Sequence, residues 1–107
     1  MADHLTVLTT TDSENAAELL ARSAVEARVA ACAQIEGPVT SVYWWDGEVR
    51  TGREWRVLYK TPAAKYRELE AHIKAVHGYD TPEIIAAEIT RGSAEYLAWL
   101  GEETGRR

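Results

Sequence analysis

The seven residues His77-Gly78-Tyr79-Asp80-Thr81-Pro82-Glu83 bring an imidazole, a phenol and two carboxylates into one short stretch. Connecting segments of this kind often carry function. Gly78 lets the backbone turn and Pro82 biases Thr81 towards an extended shape, so the stretch is rigid enough to aim His77, Tyr79 and Glu83. The plain alternative is a histidine at a fraying helix end, a packed tyrosine and a solvated glutamate, since no metal or catalytic motif is spelled here. Cys32 lies in Ala30-Ala31-Cys32-Ala33, where small apolar neighbours suit a buried thiol acting as a small hydrophobe. A nucleophilic role needs a nearby cation or helix amino terminus to stabilise the thiolate, and the local sequence supplies neither. Lys60 can present an ammonium to an anion, or protect a sheet edge from mispairing. Zinc or copper sites need several converging N or S donors. His4, His72 and His77 are scattered, and His72 and His77, five apart, point away from one another on a helix. A metal site therefore has to gather ligands across subunits or be weak.

A chain of 107 residues, 46% hydrophobic and 27% charged, has the proportions of a single globular domain over residues 1–107. Its formal net charge of -5 opposes phosphate backbones and anionic membranes, so nucleic acid and membrane partners are not expected. The start Met1-Ala2-Asp3-His4 lacks a signal peptide's basic and apolar regions, and no apolar run approaches the roughly 20 residues needed to cross a bilayer. A cytoplasmic location is expected. One cysteine cannot close an intrachain disulfide, which suits a reducing compartment.

The elements that must position these groups follow from patterning. His4–Thr10 reads as a strand rich in β-branched residues. Thr11 and Glu14 fit a capping box, opening a helix that alanine-rich sequence sustains to about Ala30, with Ala17, Leu20, Ala24 and Ala27 on one buried face. From Ala31 to Thr61 the pattern is a long two-stranded ribbon. Asp46-Gly47 tolerates the positive φ of a type I′ turn, which sets Trp45 opposite Glu48. Thr61-Pro62 predicts an N-cap and first turn. Pro62, Tyr66, Leu69, Ile73 and Val76 then step at helical spacing to Gly78, where a left-handed C-cap is expected. Pro82–Thr90 reads as a last strand, and Ser93 opens a final helix carrying Tyr96, Leu97, Trp99 and Leu100.

The order β-α-β-β-α-β with an extra C-terminal helix is an α+β, ferredoxin-like arrangement: an antiparallel sheet with two helices on one face and a long β-hairpin. Helices on one side leave the other face bare, yet the strands carry apolar groups on both, with Trp55, Val57 and Tyr59 alternating with Leu58 and Trp44 adjoining Trp45. A wet face of this kind exceeds what monomers carry. An oligomer with Trp44, Trp45 and Trp55 at its interface is expected, the alternative being that one tryptophan lies in a mobile hairpin tip or under the last helix. Two enzyme or binding readings of the fold meet obstacles. An acylphosphatase-type cradle needs arginine after the first strand, where Thr9-Thr10-Thr11-Asp12 stands, and an RNA-recognition sheet needs basic surroundings. No nucleophile, base and oxyanion donor can be grouped, so no enzyme is expected.

Ala30-Ala-Cys-Ala-Gln-Ile35, Thr40-Ser-Val-Tyr-Trp-Trp-Asp-Gly47, Tyr59-Lys-Thr61, His77-Gly-Tyr-Asp-Thr-Pro-Glu-Ile84 and Tyr96-Leu-Ala-Trp-Leu100, in this order, resemble the CutA divalent-cation-tolerance family along nearly the whole chain. The resemblance implies a ferredoxin-like subunit in a compact homotrimer, similar in architecture to PII signalling proteins, with sheet edges of neighbouring chains joined by the ribbon. It also implies an intersubunit cleft near Cys32, Lys60, Tyr79 and Glu83, and an association with tolerance of copper and other divalent cations. Copper ligands credited to bacterial members fall at Thr9 and Val76-His77, where His77 alone offers a donor and Gly78 replaces the usual proline. The expected cofactor is copper or another divalent ion at His77, with no organic cofactor. Three functions remain: a metal-responsive trimer, a PII-like trimer sensing an unknown small ligand, and an interaction scaffold.

Overall fold

A computed structural model describes residues 2–105, so Met1 and Arg106–Arg107, at the ends of the expected domain, lie outside the described residues. The elements are β1 (His4–Thr11), α1 (Glu14–Glu26), β2 (Cys32–Trp45), β3 (Glu48–Pro62), α2 (Tyr66–Val76), β4 (Ile85–Glu88) and α3 (Ala94–Gly105), with a 3-10 turn at Ala63–Lys65. The strands form one antiparallel sheet in the order β2-β3-β1-β4. The α+β class and element order agree with the sequence reading.

Alternation along the strands assigns the faces. Val7 and Thr9 of β1 stand opposite Tyr59 and Val57 of β3, and all four are fully buried. Against them pack Ala17, Leu20, Ala21 and Ala24 of α1 with Leu69 and Ile73 of α2, giving one core between sheet and helix pair. Tyr59 sends its hydroxyl to the Leu20 carbonyl at 3.1 Å and Thr61 sends its hydroxyl to the Val29 carbonyl at 2.9 Å. These bonds satisfy polar atoms that would otherwise be costly inside an apolar core. Trp55 also packs against this core, close over Gly37. The opposite face carries Leu8, Gln34, Glu36, Arg56 and Leu58 around an open hollow of about 350 Å³. α3 covers one end of this face, where the Lys60 ammonium lies 5.8 Å from the Tyr96 ring centroid.

Four local expectations are corrected. Thr11 ends β1, and the α1 cap is Ser13, whose hydroxyl accepts from the Ala16 amide at 3.1 Å. α1 stops at Glu26, well before Ala30, so Ala27 is its exposed cap residue. Its ending is a Schellman turn, with the Val29 amide on the Ala24 carbonyl and the Arg28 amide on the Val25 carbonyl. The left-handed position, φ 63, is filled by Arg28. Its guanidinium bonds the Glu103 carboxylate and backbone carbonyl at 2.9 and 3.0 Å, fastening the end of α1 to α3. Thr61 belongs to β3 and does not cap α2, because its hydroxyl is committed to Val29. Gly78 is not left-handed: α2 ends on an extended His77, φ -68 and ψ 141.

The hairpin is as the sequence predicts. Asp46 and Gly47 have φ of 51 and 78, and Trp45 pairs with Glu48. β1 lines β3 only as far as Thr11 opposite Trp55. From Val39 to Glu54 the ribbon therefore pairs only with itself and projects as an arm, helping to stretch the chain to 45 Å along its longest axis. At its tip Trp44 and Trp45 are 74% and 61% exposed.

Candidate functional site

The connection from α2 to β4 is held by its own polar groups. His77 Nε2 lies 2.7 Å from the Thr10 carbonyl, which can only accept, and His77 Nδ1 accepts the Tyr79 amide at 3.0 Å. These partners make Nε2 the donor and Nδ1 the acceptor of the ring. The Tyr79 ring tilts against the imidazole with centroids 4.8 Å apart. Its hydroxyl donates to Glu54 Oε2 at 2.9 Å, across to the base of the arm. Burial, and then the Glu54 carboxylate, push the Tyr79 phenol well above its ordinary range, since its anion would be poorly solvated beside a negative group. Glu83 comes within 3.5 Å of the Thr10 hydroxyl. The structure thus gathers His77, Tyr79 and Glu83 around the end of β1, as a proton-bearing, acid-lined polar patch.

Cys32 and Lys60 are elsewhere. They face one another across β2 and β3, and Lys60 pairs with Thr6 on its other side, whereas Thr10 pairs with Arg56. Four residues of strand separate the two rows, on the order of 13 Å at about 3.3 Å per residue. Within one chain the five sequence-predicted residues form two half-sites, His77-Tyr79-Glu83 at one end of the sheet and Cys32-Lys60 at the other. Cys32 is half-buried. Lys60 holds its ammonium over Tyr96, within the roughly 6 Å reach of a cation–π contact.

The metal reading can be tested against these donors. Both His77 nitrogens are already engaged, so a cation would have to displace Thr10 or Tyr79. Among the described residues no group of three or more His, Cys, Asp or Glu side chains is placed to hold an ion. Thr9, the other position implied by the resemblance, points into the core and is fully buried; its neighbour Thr10 reaches the loop. One chain alone does not fit a tight divalent-cation site.

Three participants escape a reading of the sequence. Thr10 acts through its carbonyl, for which no side-chain pattern exists. Glu54 is one of several charged ribbon residues, and only the arm's register turns it towards Tyr79. Tyr96 looks like a core position of α3, yet its ring receives Lys60.

The family model described as "CutA1 divalent ion tolerance protein" matches residues 5–103. A relative from Thermus thermophilus, "Divalent-cation tolerance protein CutA", is 44% identical over 92% of this chain and 96% of its own length. "Protein CutA 1, chloroplastic" from rice is 39% identical, and the chain spans 56% of that longer protein. The solved structure of the "Periplasmic divalent cation tolerance protein CutA" from Archaeoglobus fulgidus is 36% identical, with a TM-score of 0.91 over 94% of this chain and 98% of that one. The family match over residues 5–103, together with the 44% identity to the Thermus thermophilus relative, shows that the chain belongs to the CutA1 divalent ion tolerance protein family.

Proposed function

We propose that the chain works as a homotrimer in the tolerance of copper and other divalent cations, with a cleft between subunits as its binding site. The single observation that carries this reading is the division of the site into two half-sites at opposite ends of one sheet. Neighbouring copies, docked through the bare sheet face and the arm, bring Cys32 and Lys60 of one subunit towards Tyr79 and Glu83 of the next. The exposed Trp44 and Trp45 supply apolar area for that contact, and a buried tryptophan covers on the order of 200 Å². Trp55, already packed in its own chain, contributes its remaining surface. In this reading the cleft binds and does not catalyse. A reducing, cytoplasmic setting suits the single cysteine, while relatives named for the chloroplast and the periplasm occupy other compartments.

In this reading the cation is cargo, held weakly and across subunits, with His77 as its nitrogen donor. Calorimetry with copper(II) and zinc(II) on the assembled protein, beside His77→Ala and Cys32→Ala, tests it. Saturable binding with a whole-number ratio to chains or trimers, lost in His77→Ala, is the expected result. Non-saturable binding sinks the metal role. A second reading, a sensor of a small anionic ligand, draws on the Lys60 ammonium over Tyr96 and on the prior engagement of both His77 nitrogens. Binding of a small anion that disappears in Lys60→Ala favours it over the metal role.

A further inference from the structure

The arm and the loop are joined by one continuous chain of contacts. The Thr10 carbonyl accepts from His77 Nε2, His77 Nδ1 accepts from the Tyr79 amide, and the Tyr79 hydroxyl donates to Glu54. Glu54 is the residue at which the ribbon stops pairing only with itself, since the next, Trp55, already lies against Thr11 of β1. Among the described residues the Tyr79–Glu54 bond is the one side-chain hydrogen bond between arm residues 39–54 and the rest of the chain. The other, Arg50 to Glu48, stays within the arm. A two-stranded ribbon beyond the edge of its sheet has little to fix its direction, because isolated hairpins are marginal in water. A charge-assisted bond at its root, half-buried and made to a ring already braced on an imidazole, supplies that constraint.

We propose that Tyr79 is a latch: a positioning residue that sets the angle of the ribbon arm through Glu54 and so couples the site loop to the element reaching the neighbouring subunit. A ligand that draws the Tyr79 hydroxyl away from Glu54 frees the arm, and an arm held in place by a neighbour favours the loop with that bond made. Such coupling is reciprocal. The coupling to a neighbour rests on the trimer reading, whereas the latch itself is a contact within one chain.

Amide hydrogen exchange on the full chain in its native assembly, resolved by peptide, tests the latch alongside sedimentation of the same samples. In Tyr79→Phe the ring remains and only the hydroxyl is lost. Amides of residues 39–54 should then exchange about 10- to 100-fold faster, the range for losing a hydrogen bond to a charged group. Those of β1 and α2 should keep the native rate. Glu54→Ala should match it, and the double variant should be no faster than either single one. Glu54→Gln, whose amide oxygen still accepts, should stay near the native rate. An arm that exchanges at the native rate in Tyr79→Phe overturns the latch, as does acceleration spread over the whole chain. A monomer by sedimentation with the predicted arm response removes the trimer reading and leaves the latch. A trimer with an indifferent arm does the reverse.

Discussion

Thr9→Val should stabilise the protein. Thr9 is fully buried on the helix-facing side of β1, opposite Val57, and its hydroxyl is the one buried side-chain polar atom left without a partner among the described residues. An unsatisfied buried hydroxyl costs about 1–3 kcal/mol, and valine puts a methyl of nearly the same shape in its place. Allowing for imperfect repacking, the gain is about 1–2 kcal/mol. Thr61→Val is the matched opposite: an equally buried threonine on the same sheet face, whose hydroxyl does bond the Val29 carbonyl at 2.9 Å. Its loss strands that carbonyl and should cost about 1–3 kcal/mol. Urea unfolding at one fixed chain concentration, because assembly shifts apparent stability, reads both from the displacement of the midpoint at constant slope. A lower midpoint for Thr9→Val, or a shift of the same sign for both variants, would refute the assignment of an orphaned hydroxyl.

Burial raises the Tyr59 phenol well above its ordinary 10.0, so the folded state keeps a proton that the unfolded chain releases. The associated stability is whole below pH 10 and declines as pH rises towards the folded-state value. Unfolding measured from pH 8 upward should show that decline, and Tyr59→Phe should flatten it while costing about 1 kcal/mol for the bond to Leu20. Gly37→Ala should destabilise by about 1–3 kcal/mol through overpacking, because a Cβ there would stand 2.7 Å from Trp55 Cδ1 and 3.0 Å from the Trp55 backbone; an unchanged midpoint contradicts that contact. Gly47→Ala should cost about 1 kcal/mol from its φ of +78 alone, since nothing crowds the position, and thermal unfolding at fixed concentration should show the loss.

The parts of this molecule readable from sequence are those governed by local rules. The turn at Asp46-Gly47 follows from two residues that accept positive φ, and the α2 face follows from Leu69 and Ile73 at helical spacing. The errors occur where a tertiary partner overrides a local signal. Thr61 looks like a cap, but the fold gives its hydroxyl a better acceptor in Val29. The end of α1 carries no glycine because Arg28 takes the left-handed position and gains two bonds to Glu103 there. Gly78, a plausible stop signal, is not used as one, since the His77 ring bonds Thr10 and already turns the chain.

The candidate site shows the same division at larger scale. His77, Tyr79 and Glu83 could be singled out because they share seven residues, and proximity in sequence guarantees proximity in space. Nothing in the sequence says how far Lys60 stands from Tyr79; that depends on the register of β3 against β1, which places Lys60 on Thr6 and leaves Thr10 to Arg56. The separation gives the functional proposal its content. If the named residues act together, a second copy of the chain must complete the site, and the surfaces available for that docking are the bare sheet face around Leu8 and Leu58 and the arm bearing Trp44 and Trp45. Glu54, at the arm's root, then links the arm's direction to the loop through Tyr79. That bond lies within one chain, so it sets the arm's direction whether or not a second copy completes the site.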